Sequence, residues 1–178
     1  AQVAAIEAED IAALKTAQIV ALKSDQVVAL SADQIVALTT AQIANLGTAN
    51  IAALTTAQVS AIEVIDIAAL KTAQIVALST ASIAALTVEQ VGALSTADMV
   101  ALSTAQAVAL STDQIVGLST AQIAALGTAN VAALTTAQVA AIEAEDIAAL
   151  KTAQIVALKS DQVVALSSEQ IVALTTAQ

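Results

Sequence analysis

The chain has 178 residues, a formal net charge of −10 and a composition that is 58% apolar yet holds no aromatic residue, cysteine, histidine or proline. Its five cations are all lysine and never cluster, so the positive charge that nucleic acid or an anionic membrane surface demands is missing. Without His or Cys the usual general bases and thiol nucleophiles are gone, which argues against an enzyme, and no disulfide framework can form.

An eight-residue register runs through the chain without insertion or deletion. With Ile123 as position one, position four is Leu or Ile in all 22 octads from Ile6 to Leu174, and position one is Ile or Val except at Met99 and Ala107. Position three is Ala except at Asn45 and Gly117, and position six is mostly Thr or Ser, with Ala8, Ala32, Val64 and Val88 among the exceptions. Polar residues interrupt every octad, so no 18-residue apolar run exists and no membrane insertion is expected. Residues 1–178 read as one continuous array, expected to be an excerpt of a longer one because Ala1 falls in mid-pattern.

Taken in chain order, the first octads carry Glu7, Glu9 and Asp10, then Lys15 and Lys23 at position five. Ser31-Ala32-Asp33-Gln34 reads as a capping box, as does Thr87-Val88-Glu89-Gln90 further on. Between them lie Gly47-Thr48-Ala49-Asn50 and an octad with Glu63, Ile65 and Asp66. The Gly-Thr-Ala-Asn run returns at Gly127–Asn130, and the acidic run returns as Glu143, Glu145 and Asp146. Residues 39–80 closely match 119–160, and 5–30 match 141–166, offsets of 80 (119 minus 39) and 136 (141 minus 5) that are both whole octads.

The apolar positions are three and then five apart, both odd, so a straight strand would send them to opposite faces, whereas residues three apart share a helix face. One long helix fails, because eight residues turn it roughly 800° and rotate each apolar pair by about 80° from the last. A break in every octad restores a common face. Thr or Ser at position six, sometimes five, reads as the N-cap of the next helix, with acids such as Asp25, Asp113 and Asp161 in its first turn. Lysines at position five suit the end of the preceding helix, and Gly47 and Gly127 suit a left-handed turn there. Position eight, mostly Gln with Asp, Asn and Ser variants, is expected nearer the surface than position four. Helices under two turns do not persist alone, so the fold expected is an all-α solenoid of stacked short helices, one per octad, with a β-solenoid as the alternative.

The run Ala37-Leu38-Thr39-Thr40-Ala41-Gln42, repeated at Ala53–Gln58, Ala133–Gln138 and Ala173–Gln178, resembles the ALTTAQ-type tracts of large bacterial secreted and adhesin-like surface proteins. The resemblance implies an extracellular stalk or spacer at the cell surface, with no catalytic residue to carry over.

Three chemistries remain to be weighed. The clusters Glu7, Glu9, Asp10 and Glu143, Glu145, Asp146 are weak calcium candidates, since calcium takes several oxygen ligands. Ile65 removes the central acid from the middle copy, so a solvated acidic face is the expected role, with no metal and no cofactor. A row of position-six threonines could bind ice or another ligand, were capping not expected to occupy the hydroxyls. Valines alternate with alanine at position two; if outward, they form an apolar stripe suited to copies of the same chain and to a filament. Partners are thus neighbouring repeats and copies of itself, with no nucleic acid and no small-molecule substrate expected.

Overall fold

The computed structural model describes residues 2–178. Twenty-one α-helices follow a short 3-10 turn at Val3–Ala5, and there is no strand among the described residues. The all-α reading therefore holds and the β-solenoid alternative does not.

Each helix is five or six residues long, as in Thr16–Val20 and Thr120–Ala125. It runs from position six to position two or three of the next octad. Two extended residues then make the corner. Leu126 has φ −55° and ψ 138°, and Ser119, at the preceding corner, has φ −72° and ψ 157°. These angles are open to any L-residue, and no residue among those described has a positive φ. The corner needs neither glycine nor proline, which explains why the chain has so few of one and none of the other.

The N-cap is the second corner residue, at position five, one place earlier than position six. The hydroxyls of Ser119 and Thr135 accept from the backbone N–H groups of Gln122 and Gln138. Lys15 and Lys23, read from sequence as helix-ending, are extended N-caps. Gly47 and Gly127 take the same place with φ −64° and −63°, so the left-handed turn does not occur. The two capping boxes at Ser31 and Thr87 form as expected.

On a helix with this start, positions eight, one and four fall within an arc of about 100°. Those are the buried positions: Gln122, Ile123 and Leu126 are all covered, while positions five and seven face solvent.

The structure comprises two compact units, Ala1–Ala93 and Leu94–Gln178. The first holds α1 (Ala8–Ala13), α2 (Thr16–Val20), α3 (Ser24–Val28), α4 (Ala32–Val36), α5 (Thr40–Ala44), α6 (Thr48–Ala53), α7 (Thr56–Ala61), α8 (Val64–Ala69), α9 (Thr72–Ala77), α10 (Thr80–Ala85) and α11 (Val88–Gly92). The second holds α12 (Thr96–Ala101), α13 (Thr104–Ala109), α14 (Thr112–Val116), α15 (Thr120–Ala125), α16 (Thr128–Ala133), α17 (Thr136–Ala141), α18 (Ala144–Ala149), α19 (Thr152–Val156), α20 (Ser160–Val164) and α21 (Ser168–Ala173). Within each unit a helix packs on the third one after it: α1 on α4 and α6 on α9 in the first, α12 on α15 and α18 on α21 in the second. Three octads therefore make one coil of a solenoid. Position-one side chains fill its interior; Ile51, Ile75, Ile123 and Ile147 are wholly buried, and Met99 and Ala107 fill the same place.

Candidate functional site

Helices this short leave most of their backbone donors and acceptors without an intrahelical partner. The side chain at position eight resolves much of that deficit. In the second unit, Oε1 of Gln138 accepts from Thr135 N–H at 2.8 Å, completing a reciprocal capping box in its own octad. Its Nε2 reaches the coil before, donating to the carbonyls of Leu110 at 2.7 Å and Ala107 at 3.0 Å. Gln58 does the same in the first unit, bonding Thr55 N–H at 2.9 Å and the carbonyls of Val27 and Leu30, both at 2.8 Å.

The reach is constant. Gln34, Gln42, Gln74, Gln162 and Gln170 each donate to the carbonyls 28 and 31 residues earlier. Gln122, expected nearer the surface, is only 3% exposed and donates to Leu94 O at 2.8 Å. The amide, with an acceptor and a donor on one rigid plane, is the group that can cap its own helix and latch the neighbouring coil together.

Substitutions at this position alter the latch predictably. Asn50 and Asn130, one methylene shorter, keep the bond to the preceding coil, at 2.9 Å to Leu22 O and 3.0 Å to Leu102 O. Both sit behind a glycine N-cap without a capping box. Ser82 stays within its octad, 2.8 Å from Ser79 Oγ. Aspartate has no N–H to donate. Asp98 accepts from Ser95 N–H and Oγ through Oδ2, and its Oδ1 is buried without a partner, as is Oδ1 of Asp66.

The acidic clusters divide along this geometry. Glu7, Glu9 and Asp10 are exposed. Glu143 and Glu145 are exposed too, but Asp146 occupies position eight and is buried, so the second cluster is split between surface and interior. Among the described residues no group of three or more His, Cys, Asp or Glu side chains is placed to hold a metal ion. Glu89 and Glu169 have carboxyls held below their usual range, first by their own backbone N–H and then by the hydroxyls of Thr87 and Ser167.

Capping from position five leaves the position-six hydroxyls out of the caps, contrary to the expectation that capping would occupy them. Thr104, Thr128 and Thr152 are exposed at 24-residue steps in the second unit, Thr152 donating to Ala177 O at 3.3 Å. The position-two valines do face outward, including Val36, Val100, Val116 and Val164. Stacking by 24 breaks the expected stripe, however: one row of the first unit reads Val20, Ala44, Ala68, Gly92.

Six tandem stretches, residues 3–40, 36–63, 59–96, 95–128, 115–141 and 139–176, match the ALTTAQ repeat. The chain belongs to the ALTTAQ repeat family. The motif's six letters correspond to the structural cell: in Ala37–Gln42, Leu38 is the first corner residue, Thr39 the cap, and Gln42 the latch. The six letters of the motif thus span the corner and, where Thr and Gln are both present, its hydrogen bonds. A search among curated proteins found no match to this ALTTAQ chain.

Proposed function

We propose that this ALTTAQ array is a stalk or spacer segment of a large bacterial extracellular, adhesin-like protein, supplying reach and regularity. The observation that carries the reading is that one bonding cell recurs on every side of the coil. Gln34, Gln42 and Asn50, in three consecutive octads, all latch to the carbonyl 28 residues earlier. The surface mixes Ser, Thr and Ala side chains with acids, lysines and the outward valines of position two, spread over many octads. The net charge of −10 works against contact with nucleic acid and anionic membrane. In a solenoid held by neighbour contacts alone, the useful variable is the number of units.

The test is deletion in the parent protein. Removing Ser119–Leu126 leaves every remaining octad in register, so folding and any binding by flanking domains are expected to persist. Removing Ser119–Gln122 joins Leu118 to Ile123, destroys one cap and one latch, and is expected to open a protease-sensitive site. Loss of binding on removing any single whole octad would show a specific site within the array and would refute the spacer reading.

A further inference from the structure

The latches that join one coil to the next are unevenly distributed within the first unit. Where α5, α6 and α7 rest on α2, α3 and α4, Gln42, Asn50 and Gln58 each donate across the joint. Where α8, α9 and α10 rest on α5, α6 and α7, the position-eight residues are Asp66, Gln74 and Ser82. Of these only Gln74 donates, to Ile43 O at 3.2 Å and Leu46 O at 2.9 Å. Asp66 has no N–H to give, and its buried Oδ1 has no partner. Ser82 is too short to cross, and its hydroxyl bonds Ser79 Oγ in the same octad. The carbonyls 28 residues before them, of Leu38 and Leu54, belong to buried residues and receive no hydrogen bond from the described residues. The loss is confined to the latch: α8 and α10 keep their six residues, and Ile67 and Ile83 are covered as fully as Ile75 between them. Glutamine fits the place that Ser82 holds. Eighty residues on (82 plus 80), Gln162 donates to Leu134 O at 2.7 Å.

We infer that the joint between α5–α7 and α8–α10 is a preset opening point, at which the coils part while the fully latched joint before it stays closed. In an array of neighbour contacts each joint opens with its own free energy, and the one with the weakest interface opens first. The apolar cover of this joint is complete, so the polar groups decide. Closed, it keeps Asp66 Oδ1 and the carbonyls of Leu38 and Leu54 away from water without partners; parted, it gives all three to water. Parting the joint below it instead breaks carboxamide bonds from Gln42, Asn50 and Gln58 that were satisfied while closed. Opening strips α8, α9 and α10 of their packing on the preceding coil, and helices of six residues do not persist without such packing. The N–H groups of Ile67, Ile75 and Ile83, which bond Glu63 O, Lys71 O and Ser79 O, then become exchangeable. The inference concerns the bonding of one joint and holds whether or not the array acts as a spacer.

The experiment is native-state hydrogen exchange of the 178-residue chain, read by mass spectrometry. An evenly latched polypeptide frays from its ends, so residues 64–85, which lie nearer its middle, would be better protected than residues 120–141. The reverse is expected: residues 64–85 exchange at least tenfold faster. The double variant Asp66→Gln/Ser82→Gln supplies both missing donors with the residue that most octads already carry. It should slow exchange in residues 64–85 at least tenfold and leave residues 120–141 unchanged, since one hydrogen bond provides about threefold to tenfold. Ser82→Gln alone should recover about threefold to tenfold, which separates the missing bond from the buried aspartate. Protection of residues 64–85 equal to or above that of residues 120–141 would overturn the inference. So would faster exchange there that the double variant leaves in place.

Discussion

Gln138→Ala measures what the latch contributes. The substitution removes the acceptor for Thr135 N–H and the donor to the carbonyls of Leu110, Ala107 and Val108. Ala107 O keeps a second bond, from Leu110 N at 3.3 Å, and Val108 lies at the surface within reach of water, so Thr135 N–H and Leu110 O are the groups left short. Leu110 is buried, and an unsatisfied buried carbonyl costs about 1–3 kcal/mol; the lost cap bond, nearer solvent, costs about 0.5–1.5 kcal/mol more. The expected loss is about 2–4 kcal/mol, comparable to the 2–5 kcal/mol typical of truncating a buried leucine such as Leu126 to alanine. Gln26→Ala is the control, because Gln26 bonds only Lys23 N–H, at 2.9 Å, and should cost about 0.5–1.5 kcal/mol. Gln138→Glu is the sharper variant: it keeps shape and the cap acceptor but places an oxygen where the amide donates at 2.7 and 3.0 Å, and should cost more than alanine. Urea unfolding followed by far-UV circular dichroism reads all four variants. A Gln138→Ala loss no larger than that of Gln26→Ala would refute the latch, and a harmless Gln138→Glu would refute its direction.

Asp66→Asn should stabilise the chain by about 1–3 kcal/mol in thermal or urea unfolding, since it replaces a buried unpartnered oxygen with the amide that Asn50 uses for the same reach; a loss would mean the aspartate is satisfied in a way the hydrogen-bond geometry does not show. Millimolar calcium should leave the melting temperature of both wild type and Glu145→Ala unchanged, because the exposed Glu143 and Glu145 do not converge with buried Asp146; a calcium-dependent rise that vanishes in the variant would restore the metal site. Glu89 and Glu169 have folded-state values below 4.5, so their small stabilising effect is present above pH 4.5 and lost as pH falls through the folded value; a difference between wild type and Glu89→Gln that grew below that range would contradict the sign.

The solenoid was legible because Leu126 and Ile123 recur at a spacing no strand tolerates, and because a period of eight cannot stay on one face of an unbroken helix. Gln122 lies inside despite its polar side chain. It lies four residues before Leu126, hence on the same helical face, and the near-uniform choice of Gln at every eighth residue argued for a constrained side chain. Burial does not require apolarity, because a carboxamide that meets its bonds inside is covered as fully as a leucine. The cap was displaced by one residue because Lys15 and Gly47 do not look like caps. They occupy the place because the corner demands extended backbone there; Gln18 satisfies the Lys15 N–H, whereas Gly47, followed by Asn50, has no capping box. The number of octads per coil had no local signal, since all three sides share one sequence pattern. The unpartnered oxygens of Asp66 and Asp98 follow from the inward bonds of the carboxamide they replace, which no local sequence pattern marks.

The two internal duplications bear on why the latch takes this form. Their offsets, 80 and 136 residues, are whole numbers of octads but not of the three-octad coil: 80 is three coils and one octad, and 136 is five coils and two octads. A bonding scheme that depended on which side of the coil an octad occupied would reject such copies. The scheme in this chain refers only to distances along the chain: three residues back for the cap, and 28 and 31 back for the latch. Between coils the glutamine carboxamides donate to main-chain carbonyls, and those are present whatever the preceding octads contain. An octad can therefore be inserted at any corner and find its partners, while a fraction of an octad finds none. Side-chain-to-side-chain ladders would have tied each octad to a particular neighbour. By bonding to backbone, the glutamine makes length adjustable in steps of eight residues without redesign of the core, which is the property an array acting through its reach requires.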